Sequence, residues 1–379
     1  MPLRFVLVFA LVCLLHGCAK DTSKTLLFIG SFTEGKAAKG IQVHEFDVRT
    51  GALRLLHEVP NVINPSFLKV SPNGRFLFSV LESQMDSNGK VAAYGIDAKT
   101  GILEPINFQD TGGRNPAHLS IHPSGGHLVV SNYTDAGIAV FPINEAGSLL
   151  PKQQMLTFKD SSIVRGRQDA AHVHSTHFSP DGGSLFAQDL GADKIRVFKV
   201  VLDNKLELES RAAIAVKPGS GPRHFTFHPN GKFGYGISEL SGKVRVYQYT
   251  DDNLIFLEDH SSYATNQEIY RAADIHISPD GKFLYTSNRG PKEDSIGIFS
   301  IDQNSGKLTL VGHEPTHGKH PRNFCLDPSG QFLLVANQFS NNVVVFKRDG
   351  QTGKLSKLPE DLEIKAPSTL QMLRYVADR

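Results

Sequence analysis

A seven-bladed β-propeller with four antiparallel strands per blade is the all-β fold this sequence predicts, on three observations. A turn proline recurs at Pro72, Pro123, Pro180, Pro229, Pro279 and Pro328, with spacings of 51, 57, 49, 50 and 49 residues; a fixed period of this size announces a repeat architecture. Around each turn the residues alternate apolar and polar, the period of two that belongs to strands, and no helical period intervenes. The two chain ends also match: Ala366-Pro-Ser-Thr-Leu-Gln-Met372 follows the pattern of Asn64-Pro-Ser-Phe-Leu-Lys-Val70, a first strand that the first repeat lacks. A swap of that kind closes a ring of sheets, and radial repetition protects the strand edges.

The elements follow in order. Residues 1–17 read as a lipoprotein-type signal peptide: Arg4, then an apolar run from Phe5 to Leu15 too short to span a bilayer, then Leu15-His16-Gly17-Cys18, which resembles a bacterial lipobox with Cys18 as the lipidated residue. Residues 18–25 would be a tether and residues 26–379 the propeller. The expectation is an exported protein, held by its lipid anchor on the periplasmic or cell-surface side of a bilayer. The first blade begins with Leu26–Ser31 as a second strand, then Ile41–Phe46 and Leu53–Glu58. Six complete units follow, each opening its fourth strand with a leucine: Leu103, Leu149, Leu206, Leu254, Leu308 and Leu355, as Leu53 does in the first.

Forty basic and 38 acidic residues nearly balance, with no basic run, which argues against a nucleic-acid partner. The absence of tryptophan excludes the Trp-Asp type of repeat. Two of the three cysteines lie in the leader, so Cys325 stands alone and reads as a small buried hydrophobe.

Register places the candidate site. Antiparallel pairing sets the start of each first strand beside the end of the second, and first strands line the channel, so these ends converge on one mouth. Six residues before the turn proline stand Ser66, Ala117, His174, Arg223, Ala273, Arg322 and, in the terminal copy, Ser368; ten after it stand Glu82, Tyr133, Leu190, Glu239, Arg289 and Gln338. Just inside lie His118, His224, Asp274 and Asn323, with Asp189 beside Leu190. The blade-three to blade-four connection is long, and its residues 159–169 carry Arg165 and Arg167; loops of this kind concentrate function. Surface Arg–Glu pairs between blades are commonly structural, yet several arginines, histidines and a carboxylate gathered at equivalent positions favour a functional pocket. His172 and His174, two apart on one strand face, have a spacing that can hold a metal; arginines nearby would repel a cation, and no metal or other cofactor is expected. His122 and His228 sit at the turns, and His177 and His276 share a mid-strand slot suited to core polar partners.

The segments Gly221-Pro-Arg-His-Phe-Thr-Phe-His-Pro-Asn-Gly231, Ala272-Ala-Asp-Ile-His-Ile-Ser-Pro-Asp-Gly281, Ser287-Asn-Arg-Gly290, His172-Val-His-Ser-Thr-His-Phe-Ser-Pro-Asp-Gly182 and Asp189-Leu-Gly-Ala-Asp193 together resemble the seven-bladed lactonase family, which includes propeller-type 6-phosphogluconolactonases and carboxy-cis,cis-muconate cyclases. The resemblance spans the whole mature chain. It implies metal-independent hydrolysis of a sugar-acid lactone, with His174, Arg223, Glu239 and Arg289 as catalytic residues. His118, Arg167, His172, Asp189, His224, Asp274 and Arg322 then become candidates for holding an anionic sugar lactone. Either Glu239 or His174 would accept the proton. Cyclase chemistry on a muconate-like substrate, a tethered non-catalytic binding module, and a calcium-dependent gluconolactonase of the six-bladed kind are the rival readings. Arg223→Ala is expected to abolish activity and leave stability near wild type.

Overall fold

The structure is a computed structural model that describes residues 23–33, 39–82, 86–203 and 205–376. The signal peptide and Cys18 lie outside these residues, as does most of the tether. The described residues form seven antiparallel sheets. In the first, the C-terminal strand Pro367–Tyr375 is innermost and pairs with Lys24–Ser31, followed outward by Lys39–Phe46 and Leu53–Pro60. The register runs from Lys24 opposite Tyr375 to Ser31 opposite Pro367, so the chain ends close the ring through one ladder. The remaining innermost strands are Phe67–Val70, Pro116–Ile121, Val173–Phe178, Pro222–Phe227, Ile275–Ile277 and Pro321–Leu326.

The core lies between blades, as the flat two-sided apolar strands require. One cluster joins Tyr235, Val246 and Ile237 of the fifth blade to Leu284 and Phe299 of the sixth, and another joins Tyr285 and Ile298 to Phe324 and Phe346 of the seventh. The same tie recurs at these interfaces: Tyr235 donates its hydroxyl to Gly306 O at 2.8 Å, and Tyr285 donates to Gly353 O at 2.8 Å. Gly353 takes φ +73° in its turn, and a Cβ there would sit 2.3 Å from the Phe283 ring of the preceding blade, so both backbone conformation and packing demand glycine.

One fourth strand departs from the leucine rule, and a second keeps its leucine but is interrupted. In the third blade Leu149 makes only an isolated bridge with Ile143, and the strand proper is Gln154–Thr157. Pro151 has no N–H to give a ladder and delays the pairing. In the fourth blade the outer strand is split into Leu206–Ser210 and Ile214–Ala215, both paired to Lys194–Leu202. Cys325 is buried, and burial pushes its thiol pKa up, which keeps it unreactive.

Candidate active site

At the channel mouth where first strands begin and second strands end, the backbone does something that strand alternation does not anticipate. Pairing skips one residue between Val173 and Ser175, Pro222 and His224, Pro116 and His118, and Pro321 and Asn323, and between Pro367 and Thr369 of the closing strand. The skipped residues are His174, Arg223, Ala117, Arg322 and Ser368, five of the seven positions that stand six before a turn proline or its terminal equivalent. A β-bulge leaves its extra residue outside the ladder and re-aims the side chain. The rim residues therefore turn out of the sheet at the mouth.

Arg223 and Glu239 meet there. Glu239 Oε2 accepts from Arg223 Nε at 3.0 Å and from Arg289 Nη2 at 3.1 Å, while Oε1 accepts from Arg167 Nη2 at 2.6 Å. The first two arginines and the carboxylate are 2%, 4% and 6% exposed; Arg167, from the long connection, keeps 37% of its side chain exposed. Arg289 also donates Nε to Arg271 O at 2.8 Å and Nη1 to His320 Nε2 at 3.1 Å. Arg223 further donates Nη1 to Ala273 O and holds Nη1 3.4 Å from His224 Nε2. Burial by itself would raise the Glu239 pKa, but Arg289, Arg223 and Arg167 outweigh it and hold it at about 2. Burial and the Arg289 charge lower Arg223 to about 9, so it remains a cation at neutral pH. Arg322 is less committed: it lies 4.0 Å from Glu82 and over the Phe32 ring at 4.9 Å, with no hydrogen bond from its guanidinium among the described residues.

Beneath this ring of charge lies a layer of imidazoles. His174 packs its ring 5.2 Å from His224 and 5.6 Å from Tyr133. Burial, then Arg223, hold it well below its ordinary pKa, so it is neutral. His224 is lowered to about 4, by burial and then Arg223, against the opposing pull of Asp274. His320, beside Arg289, is pushed by burial and that charge to about 2.

The remaining candidates separate. His118 packs against Phe67, His177 and His224. With Asp274, and with one side of His224, whose Nε2 edge reaches Arg223 Nη1, it lines a cavity of about 360 Å³ that also includes Lys69, Pro123, Pro180 and His276, and so opens at the turn-facing end of the channel. His118 and Asp274 face away from the arginine mouth, which corrects their assignment as ligand contacts there. Asp189 is corrected as well: fully buried, it accepts from His172 N at 2.9 Å, Ala192 N at 3.0 Å and Arg196 Nε at 2.8 Å, and so closes its own turn. His172 stacks on Tyr133 at 4.5 Å and contacts Tyr133 O through Nδ1 at 3.0 Å, at the edge of the mouth. His172, His174 and Asp189 do not converge, and no metal-binding group of His, Cys, Asp and Glu occurs among the described residues. Two participants were not predicted: His320, which stands eight residues before Pro328 as His172 does before Pro180, a repeat position that was not read, and Tyr133, which stands in the predicted set of rim positions without a role.

Residues 26–372 match the family model described as Lactonase, 7-bladed beta-propeller. A protein of Formosa agariphila named 6-phosphogluconolactonase is 57% identical over 351 residues, covering 92% of this chain and 99% of its own length. A 6-phosphogluconolactonase of Bacillus subtilis is 33% identical over 360 residues, covering 93% and 100%. Among solved structures, the Pseudomonas aeruginosa periplasmic gluconolactonase PpgL superposes with a TM-score of 0.87 at 36% identity, covering 94% of this chain and all of that one, 100%.

Proposed function

The chain belongs to the seven-bladed β-propeller lactonase family, and from that premise we propose that the arginine mouth binds and hydrolyses an anionic sugar-acid lactone. One observation carries the reading: four guanidinium groups, Arg167, Arg223, Arg289 and Arg322, gather around two carboxylates, Glu239 and Glu82, leaving a net positive pocket. Arg223 and Arg289 are spent on Glu239, which sets their planes. Arg322 and the half-exposed Arg167 have hydrogens to offer, so they take the carboxylate or phosphate of the substrate in the charge-assisted geometry that suits guanidinium.

The carbonyl oxygen of the lactone gains negative charge when water adds to its carbon, and fixed positive groups in a dry site stabilise that charge more than water does. Arg223 and Arg289 supply it. Glu239 is a poor proton acceptor, because three arginines stabilise its ionised form. Its task is to hold the arginines in place, and the proton falls to the imidazole layer below. His172 borders the opening through its stack on Tyr133.

We propose an exported enzyme held by a lipid on Cys18, a reading supported by the lipobox-like Leu15-His16-Gly17-Cys18 and by the periplasmic name of PpgL. Its substrate is then a lactone available there. Purified protein is tested against gluconolactone and its 6-phosphate with and without chelator. Acceleration over spontaneous hydrolysis, unaffected by chelator, is the expected result; rates equal to the uncatalysed reaction for every lactone would overturn the reading.

A further inference from the structure

The two imidazoles under the arginines are held in opposite ways. His224 Nδ1 lies 2.7 Å from Asp274 Oδ1, and its Nε2 lies 3.4 Å from Arg223 Nη1. A carboxylate only accepts and a guanidinium only donates, so both contacts demand one tautomer, with the proton on Nδ1 and a bare lone pair on Nε2. Asp274 cannot turn away, since it also accepts from Ile275 N at 3.0 Å, His276 Nε2 at 2.9 Å and Asn323 Nδ2. The Arg223 contact, at 3.4 Å, is long for a charge-assisted bond.

His174 has no such orienter. Its Nδ1 is sealed from solvent without a hydrogen-bond partner among the described residues, whereas Nε2 is not sealed. An orphaned acceptor is more tolerable than an orphaned buried N–H, so this ring carries its proton on Nε2. One neutral imidazole thus turns a lone pair toward Arg223, and its neighbour carries an N–H on its unsealed nitrogen.

We propose that His224, oriented by Asp274, is the general base for lactone hydrolysis, and that His174 is the hydrogen-bond donor to the lactone oxygen. The assignment rests on the lactonase reading above. Water gives a proton to His224 Nε2 as its oxygen bonds the carbonyl carbon; the carbonyl electron pair moves onto oxygen, held by His174 Nε2–H and the arginines. Collapse restores the carbonyl and breaks the ring C–O bond, and the departing alkoxide takes the proton back from His224. Asp274 stays ionised and steadies the transient imidazolium, the role of an orienting carboxylate.

The groups facing His224 are Arg223 on its own strand, His118 from the third blade, His174 and His177 from the fourth, and Asp274 and His276 from the sixth. All but Asp274 oppose its protonation, so the acid limb of kcat/KM lies near pH 4, where His224 titrates. The test measures His224→Gln and Asp274→Asn across pH 3–8 on whichever lactone the wild type turns over. Loss of a general base lowers kcat about 100-fold or more, with KM changed far less. Asp274→Asn should lower kcat and move the acid limb to lower pH, because the charge that favoured imidazolium is gone; a merely structural role moves no limb. Nitrogen NMR of histidine-labelled wild type, which needs no variant, should find His224 protonated at Nδ1 and His174 at Nε2. Wild-type kcat in His224→Gln, or a proton on His224 Nε2, overturns the inference. A wild type inactive on every lactone sinks the lactonase reading instead, a different outcome.

Discussion

Replacing Glu239 by Gln keeps the shape of the site and removes its one shared counter-charge. Arg223 and Arg289, 2% and 4% exposed, would lose their common partner, and the new amide would point N–H groups at guanidinium donors. Breaking a buried ion pair from one side costs about 3–5 kcal/mol. The titration of the same group gives an independent figure: depression from 4.5 to about 2 corresponds to roughly 3 kcal/mol of native-state stabilisation. The folded pKa is the lower one, so this stability is fully present above pH 4.5 and is lost as pH falls toward 2. At pH 7 the variant should melt about 4 °C below wild type, given the unfolding entropy of a domain this size. At pH 3 the gap should shrink markedly. Calorimetry on both proteins at both pH values is the assay. A gap below about 1 kcal/mol at pH 7, or one independent of pH, would refute the account of Glu239 as the buried anchor of three cations.

Arg322→Ala removes the least committed guanidinium and should raise KM for an anionic lactone about tenfold, the worth of one charged hydrogen bond, with kcat within a factor of about three; steady-state kinetics on charged and neutral lactones check it, and an equal KM change for both refutes it. Arg223→Ala, expected from sequence to leave stability near wild type, should instead cost about 2–4 kcal/mol as well as activity, because the buried side chain anchors Glu239 and Ala273 O; denaturant titration measures it. Gly353→Ala forces a Cβ to 2.3 Å from the Phe283 ring at positive φ and should destabilise by more than about 2 kcal/mol, without changing KM in the protein that remains folded. Deleting residues 366–379 removes the innermost strand of the closing blade and should abolish the cooperative melting transition seen by calorimetry.

The sequence by itself determined the blades, the closure and the side of the channel on which Arg223, Glu239 and Arg289 meet. Those follow from local rules: a period of two makes strands, Pro-Asn-Gly and its equivalents make tight turns, and antiparallel pairing across each turn leaves no choice about which ends coincide. The tertiary structure decided how the side chains are aimed and occupied. Bulges swing His174, Arg223 and Arg322 out of the ladder, and a loop 72 residues distant delivers Arg167 to Glu239. Asp189 looked equivalent to the rim residues but turns into its own loop, and Asp274 lies beneath the mouth, orienting His224 from the neighbouring blade. The Arg167 and Asp274 contacts form between blades, after each sheet is made, and no spacing within a single repeat encodes them; the bulges and the Asp189 turn lie within one sheet, where a strict period of two does not show an extra residue.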